Sequence, residues 1–589
     1  MRACSFEGVS KFSKFGVFCE GVFATARIQR VTSNARPRTN PATRPPTSRA
    51  MQPVPVTLLS GLLGAGKTTL LKRIVENTDK ARVAVVVNDV AALNIDSALV
   101  RNTRALNDVD QVVELQNGCV CCTLRTDFVK ALADLACTGR FDVIVVEASG
   151  VSEPAQIAEM FRVDVSEETL TADADARDKK AVAGVVKALN GASTLQQVAR
   201  LDTCVTVVDA HAFDGDLVTP ADLVERFGDK SRPGGEAEEM ENGERLVSQL
   251  LAEQIEFSDL VVLNKCDLVK RHDLLAIEQA IAALNPGAEI VRATHSDVPV
   301  NKVIRTNRFD LEKMGAAAGW VRAMRGDKVV ETKEYGICSF VYRALTPFHP
   351  TRFREFLHEF AACLDLDEDA EEEDEEEDDD AMDAADAADA DDEPDNAMVL
   401  PLEARAAETK AKLDVARQKY GHVFRSKGFV WLAGRDDACG EYGHVGAVAR
   451  FGCGGPWAGM IPREMWPEEG TEARDLFERD FTGPVLLDRR QELVFIGRHM
   501  NKTAITSALE KCLVTQAEAS RARVRDDNAG SLRKEEWKLG LTNIVAAEED
   551  PFPQWPTLAE MGLAGEGDED GHGHGHGRGG DAHHHHHHH

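Results

Sequence analysis

The segment Gly61-Leu62-Leu63-Gly64-Ala65-Gly66-Lys67-Thr68 fits the pattern G-x-x-x-x-G-K-[ST] at every fixed position. Such a loop does phosphate chemistry. Gly61, Gly64 and Gly66 let backbone N–H groups close on a phosphate without a Cβ in the way. The helix that opens at the end of the loop adds positive potential. Lys67 is expected to span the β- and γ-phosphates, and the Thr68 hydroxyl to ligate Mg²⁺. The nucleotide-binding set is read as Gly61, Gly64, Ala65, Gly66, Lys67, Thr68 and Thr69.

About 200 residues on stands Asn264-Lys265-Cys266-Asp267, an N-K-x-D sequence behind an apolar run. The Asp267 carboxylate can accept two hydrogen bonds from the amide and amino groups of guanine. Adenine would leave that carboxylate unpaired. Asn264, Lys265 and Asp267 therefore specify GTP over ATP. Between the two motifs, Glu147-Ala148-Ser149-Gly150 ends another apolar run. An acid there can hold Mg²⁺ or orient the attacking water, and the Gly150 N–H can reach the γ-phosphate. Lys67 and Glu147 are thus the candidate catalytic pair.

Cys119, Cys121 and Cys122 place three thiols within four residues. Adjacent cysteines do not readily pair with each other, and three thiolates suit Zn²⁺ or Cu⁺. Zn²⁺ takes four ligands, so one more must come from elsewhere or from water.

These groups need elements to hold them. Apolar β-branched runs at Val56–Leu59, Arg82–Val87, Val112–Leu115, Val143–Val146, Cys204–Val208, Leu260–Leu263 and Glu289–Arg292 read as strands buried on both faces. Helical stretches, such as Lys67–Asn77, Leu124–Ala136 and His272–Leu284, lie between them. The pattern predicts an α/β fold with a doubly wound, mostly parallel sheet over about 53–330, with a charged insertion near 164–195. A smaller α+β domain is expected over 335–515. Its strands are Ser339–Ala344, Phe424–Leu432, Val445–Phe451, Val485–Leu487 and Leu493–Ile496, and its helices Thr351–Cys363 and Lys502–Cys512.

The chain has 589 residues and a net charge of −31, which argues against a nucleic-acid partner. Residues 365–395 hold 21 Asp or Glu and no Lys or Arg, leaving −10 for the rest; the block reads as a disordered, solvated loop within the second domain. No apolar run approaches the ~18 residues of a membrane span, so no membrane partner is expected. Thirteen cysteines are too sparse for a disulfide scaffold and fit thiol or metal chemistry. Residues 1–50 carry nine Arg or Lys against Glu7 and Glu20 and read as a transit peptide to the chloroplast or another organelle. The alternative is an untranslated extension ahead of Met51, and a cytoplasmic protein. From 521 to 589 the chain reads as a disordered tail, with Gly-His alternation at 571–576 and a run at His583–His589 that is either native or a tag.

In this order the motifs resemble the CobW-type P-loop GTPases, the family that includes the zinc-regulated GTPase metalloprotein activators. The resemblance covers Pro53 to Leu513 apart from the two insertions. It includes Asn88-Asp89 with Asn94-Ile95-Asp96, Asn117-Gly118-Cys119-Val120-Cys121-Cys122, Glu147 to Pro154, and Cys204 to Ala210. In the second domain it includes Arg425-Ser426-Lys427-Gly428-Phe429 and Asp488 to Gly497. It implies slow GTP hydrolysis coupled to delivery of a transition metal, usually Zn²⁺, to a client metalloprotein. The family usually carries a second acid near Ala92, missing here, so Asp89 or a water is expected to complete the metal site. Two alternatives remain open at this stage. One is a metal-insertion GTPase serving cobalamin synthesis or a nitrile hydratase-like client; the other is a non-enzymatic zinc buffer.

Overall fold

The computed structural model describes residues 52–77, 81–87, 112–114, 122–150, 152–162, 184–189, 191–223, 226, 245–314, 318–325, 336–366, 402–518 and 550–563. Residues 1–50, nearly all of the acidic block, both His tracts, Asp89, Cys119 and Cys121 lie outside these.

Seven strands build the first sheet: β1 (Val54–Ser60), β2 (Val83–Val87), β3 (Val112–Glu114), β4 (Val143–Glu147), β5 (Ala199–Asp209), β6 (Leu260–Asn264) and β7 (Glu289–Arg292). All are parallel, in the order β3-β2-β4-β1-β5-β6-β7. Helices cover both faces. In β4, Ile144 and Val146 enter one apolar cluster and Val143 and Val145 the opposite one. Helix α1 (Lys67–Asn77) buries Leu70, Leu71 and Ile74 in the second cluster. Helix α2 (Cys122–Cys137) buries Phe128, Val129, Leu132 and Ala136 in the first. Strands covered on both faces have no polar side to show, so they read as unbroken apolar runs. Helices α3 (Val247–Glu256) and α4 (Arg271–Leu284) complete the doubly wound fold beside β6. Ser60, Glu147, Asp209 and Asn264 are the last residues of β1, β4, β5 and β6. Parallel strands put all four on one edge of the sheet, where open α/β sheets bind ligands.

The second domain contains β8 (Ile337–Ala344), α5 (Pro350–Phe360), β9 (Cys363–Leu366), α6 (Leu402–Tyr420), β10 (His422–Val430), β11 (Ala438–Val445), β12 (Val448–Pro456), β13 (Gln491–Arg498) and α7 (Lys502–Cys512). The sheet order is β8-β13-β10-β11-β12-β9, antiparallel except for β12 with β9. One face carries an aromatic core with Phe353, Phe360, Tyr420, Tyr442, Phe451 and Phe495. The other face places Ile337, Phe424, Val445, Val494 and Ile496 against Leu274, Ile277, Ile281 and Leu284 of α4.

Several expectations change. The helix expected over 351–363 stops at Phe360, and Cys363 opens β9. The strand expected over 445–451 is two strands joined by a tight turn at Gly446, whose φ of 57° is left-handed. Val485–Leu487 is not a strand; Gly483–Leu486 is a helical turn with a proline in its first positions. Within the supposed 164–195 insertion, Val185, Leu189 and Leu195 are buried in the first core. The region 521–589 is not wholly a disordered tail either, because residues 550–563 strap across the second domain. Arg435 anchors this strap. It pairs with Asp550 at 2.9 Å, donates to the Phe552 and Pro553 carbonyls, and lies 4.4 Å above the Trp555 ring.

A half-buried histidine, His422, and a buried one, His444, make the second domain pH-sensitive. Burial, then the Arg417 and Arg498 charges, push the His422 pKa down to about 3. Arg417 also donates to His422 Nε2 at 2.9 Å, a contact only a neutral ring accepts. Burial, then Arg425, push the His444 pKa down to about 3 as well. The unfolded chain takes up these protons first, at about pH 6.5. Stability is therefore full above about 6.5 and is lost as pH falls toward the folded-state values, at up to about 1.4 kcal/mol per pH unit per histidine. Urea titrations between pH 7.5 and 5 should show this slope, and His444→Gln should reduce it by about half. An equal slope in parent and variant would remove His444 from the account.

Candidate functional site

The phosphate loop turns sharply out of β1. Gly61, Gly64 and Gly66 have φ of 135°, 77° and 113°, all in the region that favours glycine. A Cβ on Gly61 would lie 2.3 Å from the Val207 carbonyl oxygen, and one on Gly66 would lie 2.4 Å from Asn264 Nδ2. Lys67 is buried and its Nζ donates to the carbonyls of Gly61 at 2.8 Å and Leu62 at 3.2 Å. The amine thus curls over the loop, within reach of a phosphate lying in it. Ala65 is buried beneath the loop and Thr69 is exposed on α1.

Thr68 Oγ1 donates to Glu147 Oε1 at 2.7 Å. This contact follows from the sheet order, since Glu147 is level with Leu59 on the adjacent strand. Glu147 is only 6% exposed. Three residues on, a Cβ at Gly150 would sit 2.8 Å from the Leu63 nitrogen. Only glycine lets this backbone press against the phosphate loop.

The guanine-reading residues join the same unit. Asn264 Nδ2 donates to the Ala65 carbonyl at 2.9 Å, and Asn264 Oδ1 accepts the Ser296 N–H at 2.8 Å. Ser296 Oγ in turn donates to the Gly66 carbonyl at 3.0 Å. Lys265 stands in the left-handed region with φ 58°, and its Nζ contacts Asp209 Oδ2 at 2.6 Å. Asp267 is exposed in the turn Cys266–Leu268, free to meet a base. An open cleft of about 130 Å³ runs between Leu63, Gly64, Asp209, Phe213, Asp216 and Lys265. Burial raises the pKa of the Asp216 carboxyl, against the opposing pull of Arg226.

Sequence reasoning missed Asp209 and Ser296. Asp209 had a usable signal: it ends an apolar strand, as Glu147 and Asn264 do. Ser296 had none, because its role depends on His295 and Ser296 adopting φ of 50° and 55° after β7.

The thiol cluster is different. Cys122 opens α2, while Cys119, Cys121 and Asp89 lie outside the described residues. Among the described residues no three His, Cys, Asp or Glu side chains stand close enough to hold a metal ion. No helix among them is long and apolar enough to cross a membrane.

A glycine loop between a parallel strand and a helix, tied to an N-K-x-D turn, defines a P-loop guanine-nucleotide-binding protein. Residues 55–292 match the CobW/HypB/UreG nucleotide-binding domain, and residues 402–513 the cobalamin synthesis protein cobW C-terminal domain. The zinc-regulated GTPase metalloprotein activator 1 of Dictyostelium discoideum is 31% identical over 85% of this chain and 86% of its own length. The zinc chaperone CobW of Pseudomonas aeruginosa is 29% identical over 45% of this chain and 65% of its own. Among solved structures, the Zn(II)-bound YjiA GTPase from E. coli aligns at 16% identity over 79% of this chain and 100% of that one, with a TM-score of 0.29. The chain belongs to the CobW family of P-loop GTPases.

Proposed function

We propose that the chain is a GTP-driven metallochaperone that passes Zn²⁺ to a client metalloprotein. The observation carrying this reading is the junction of Thr68 with Glu147, three residues before a glycine packed against the phosphate loop. A γ-phosphate held there would touch Lys67 from one side and the Gly150 N–H from the other. Losing it on hydrolysis would release the 147–153 segment. Thr68 and Glu147 are hard oxygen donors of the kind Mg²⁺ takes, and the ion would neutralise charge on the phosphate oxygens. Glu147 is the candidate for orienting water, and Lys67 for balancing charge on the transferred group.

The cargo reading starts from Cys119, Cys121 and Cys122, which precede and open α2. The chain leaves β3 on the same sheet edge as the phosphate loop, three strands from β1, or about 14 Å. β2 ends on that edge at Val87, two residues before Asp89 in the sequence. A nucleotide whose state is felt at these ligands would set metal affinity, and coupling requires different affinities in the two nucleotide states. The names of the relatives, an activator regulated by zinc and a zinc chaperone, support Zn²⁺ as the cargo.

A shortened chain ending at Leu563 tests this, because it loses both His tracts and keeps the strap. Zinc titrations with GDP and with a non-hydrolysable GTP analogue should give one tight site whose affinity differs between the two. Replacing Cys119, Cys121 and Cys122 together by Ser should abolish that site while GTP binding survives. Affinity should also fall as pH drops, since thiolates must shed protons to bind. Equal affinities in both nucleotide states would refute the coupling, and tight binding retained by the triple variant would refute the ligands.

A further inference from the structure

Helix α3 touches Ser152, beyond the phosphate loop's neighbour Gly150, and the second domain within four residues. Gln254 Nε2 donates to the Ser152 carbonyl at 3.3 Å, and the Gln254 carbonyl accepts Thr206 Oγ1 of β5 at 2.6 Å. Glu253 pairs with Arg245, whose other guanidinium nitrogen holds Glu153 at 3.2 Å. Ser152 and Glu153 lie just beyond Gly150, the residue pressed against the phosphate loop. Two residues further along α3, Glu256 makes a bidentate contact with Arg425 of β10 at 2.9 and 3.2 Å. Both partners are buried, at 9% and 4% exposure.

The chemistry of this pair is odd for a purely structural joint. On one side the interface is apolar, with Ile277 and Ile281 against Phe424, Val445 and Ile496. On the other, Arg425 also feels Glu253 and Glu441, and Lys427 pairs with Glu441 at 3.0 Å, so the pair closes a charged cluster that spans both domains. A buried ion pair commonly contributes no more stability than well-packed apolar residues of the same size, so its presence calls for a role in specifying geometry. Arg425 is also fixed within its own sheet, level with Val445 on one neighbour and Ile496 on the other. A second contact lies beside it. A Cβ on Gly446, in the β11–β12 turn, would be 1.7 Å from the carbonyl oxygen of Leu217. Leu217 belongs to the short helix Phe213–Val218, whose Phe213 and Asp216 wall the nucleotide cleft.

We propose that Glu256 and Arg425 are positioning residues for GTP turnover. Through them the second domain sets α3, and α3 sets the backbone of Ser152 and Glu153 behind the γ-phosphate. The same contacts can be read in the other direction, so the GTP- and GDP-bound states should hold the β10–β11 sheet differently. A client engaging that sheet would thereby change the rate at which GTP is consumed. The inference rests on the GTPase activity alone and not on the identity of the cargo.

The double variant Glu256→Leu with Arg425→Met removes both charges together and leaves no unpaired one behind. It should bind GTP within about twofold of the parent and turn it over about tenfold more slowly, which is about 1.4 kcal/mol of transition-state stabilisation. Arg425→Lys, which keeps the charge but loses the fork, should fall between the two. A merely structural pair would leave the turnover of the folded double variant unchanged, and a value within twofold of the parent would overturn the proposal. Hydrogen exchange on the unaltered protein supplies an arm that needs no variant. Amides of residues 422–445 should be protected differently with GDP and with a non-hydrolysable GTP analogue. Identical protection in the two states, with both nucleotides bound, would equally overturn it. Failure of zinc coupling in the cysteine experiment would leave both of these outcomes intact, so the two readings fail separately.

Discussion

Lys67→Ala should reduce GTP hydrolysis by at least about 10²-fold while the protein stays folded. The parent is expected to be slow, roughly 10⁻⁴ to 10⁻² s⁻¹, as unassisted GTPases are. Lys67 Nζ is held over the phosphate loop by the Gly61 and Leu62 carbonyls, so its position does not depend on a flexible search. Alanine removes the only charge that the loop aims at the transferred phosphate. The fold should survive, because Leu70, Leu71 and Ile74 still anchor α1. Phosphate release under single-turnover conditions, with circular dichroism to verify folding, is the measurement. Turnover by the variant equal to that of the parent would overturn the role of Lys67.

Asp267→Asn should weaken GTP binding by about 10²-fold or more and erase most of the preference over ATP. The carboxylate is exposed on the turn after β6, so the change leaves no buried group unsatisfied. An amide can donate where a carboxylate only accepts. It therefore clashes with the guanine amino group but suits xanthine, which carries a carbonyl at that position. Tighter binding of xanthosine triphosphate by the variant than by the parent would separate loss of recognition from general damage. Equal affinity of the parent for ATP and GTP would refute the guanine reading outright.

Much of this site could be read before any coordinates. The parallel strands were legible because most hold a short β-branched run, though the run in β5 revealed only its second half, Cys204–Val208 of Ala199–Asp209. Their ends matter most, since a motif residue closing a buried strand can only emerge at one edge of the sheet. That logic placed Glu147 and Asn264 correctly and would have placed Asp209 had it been applied to β5. What stayed hidden depends on contacts between distant segments. Nothing local announces that Ser296 will donate to Gly66, 230 residues away. Helix α6 was missed because its buried stripe of Thr409, Leu413, Ala416 and Tyr420 contains one small and one polar residue, which blurs the apolar period. Gly446 split an apparent strand in two because a run of apolar residues on both sides masks a turn. The strap at 550–563 escaped because a few aromatic residues in a polar stretch carry no period at all.

The order of the first sheet also bears on how the chain is made. β1 is synthesised first and ends up in the middle, yet its two neighbours are β4, at Val143–Glu147, and β5, at Ala199–Asp209. Until both have been translated, an apolar strand with two open edges must wait. Pairings this distant along the chain close slowly, because the loop entropy is lost before any contact is gained. The nascent chain up to β5, which ends at Asp209 of 589 residues, is therefore aggregation-exposed. Shielding by other proteins during synthesis should matter most before β5 is complete.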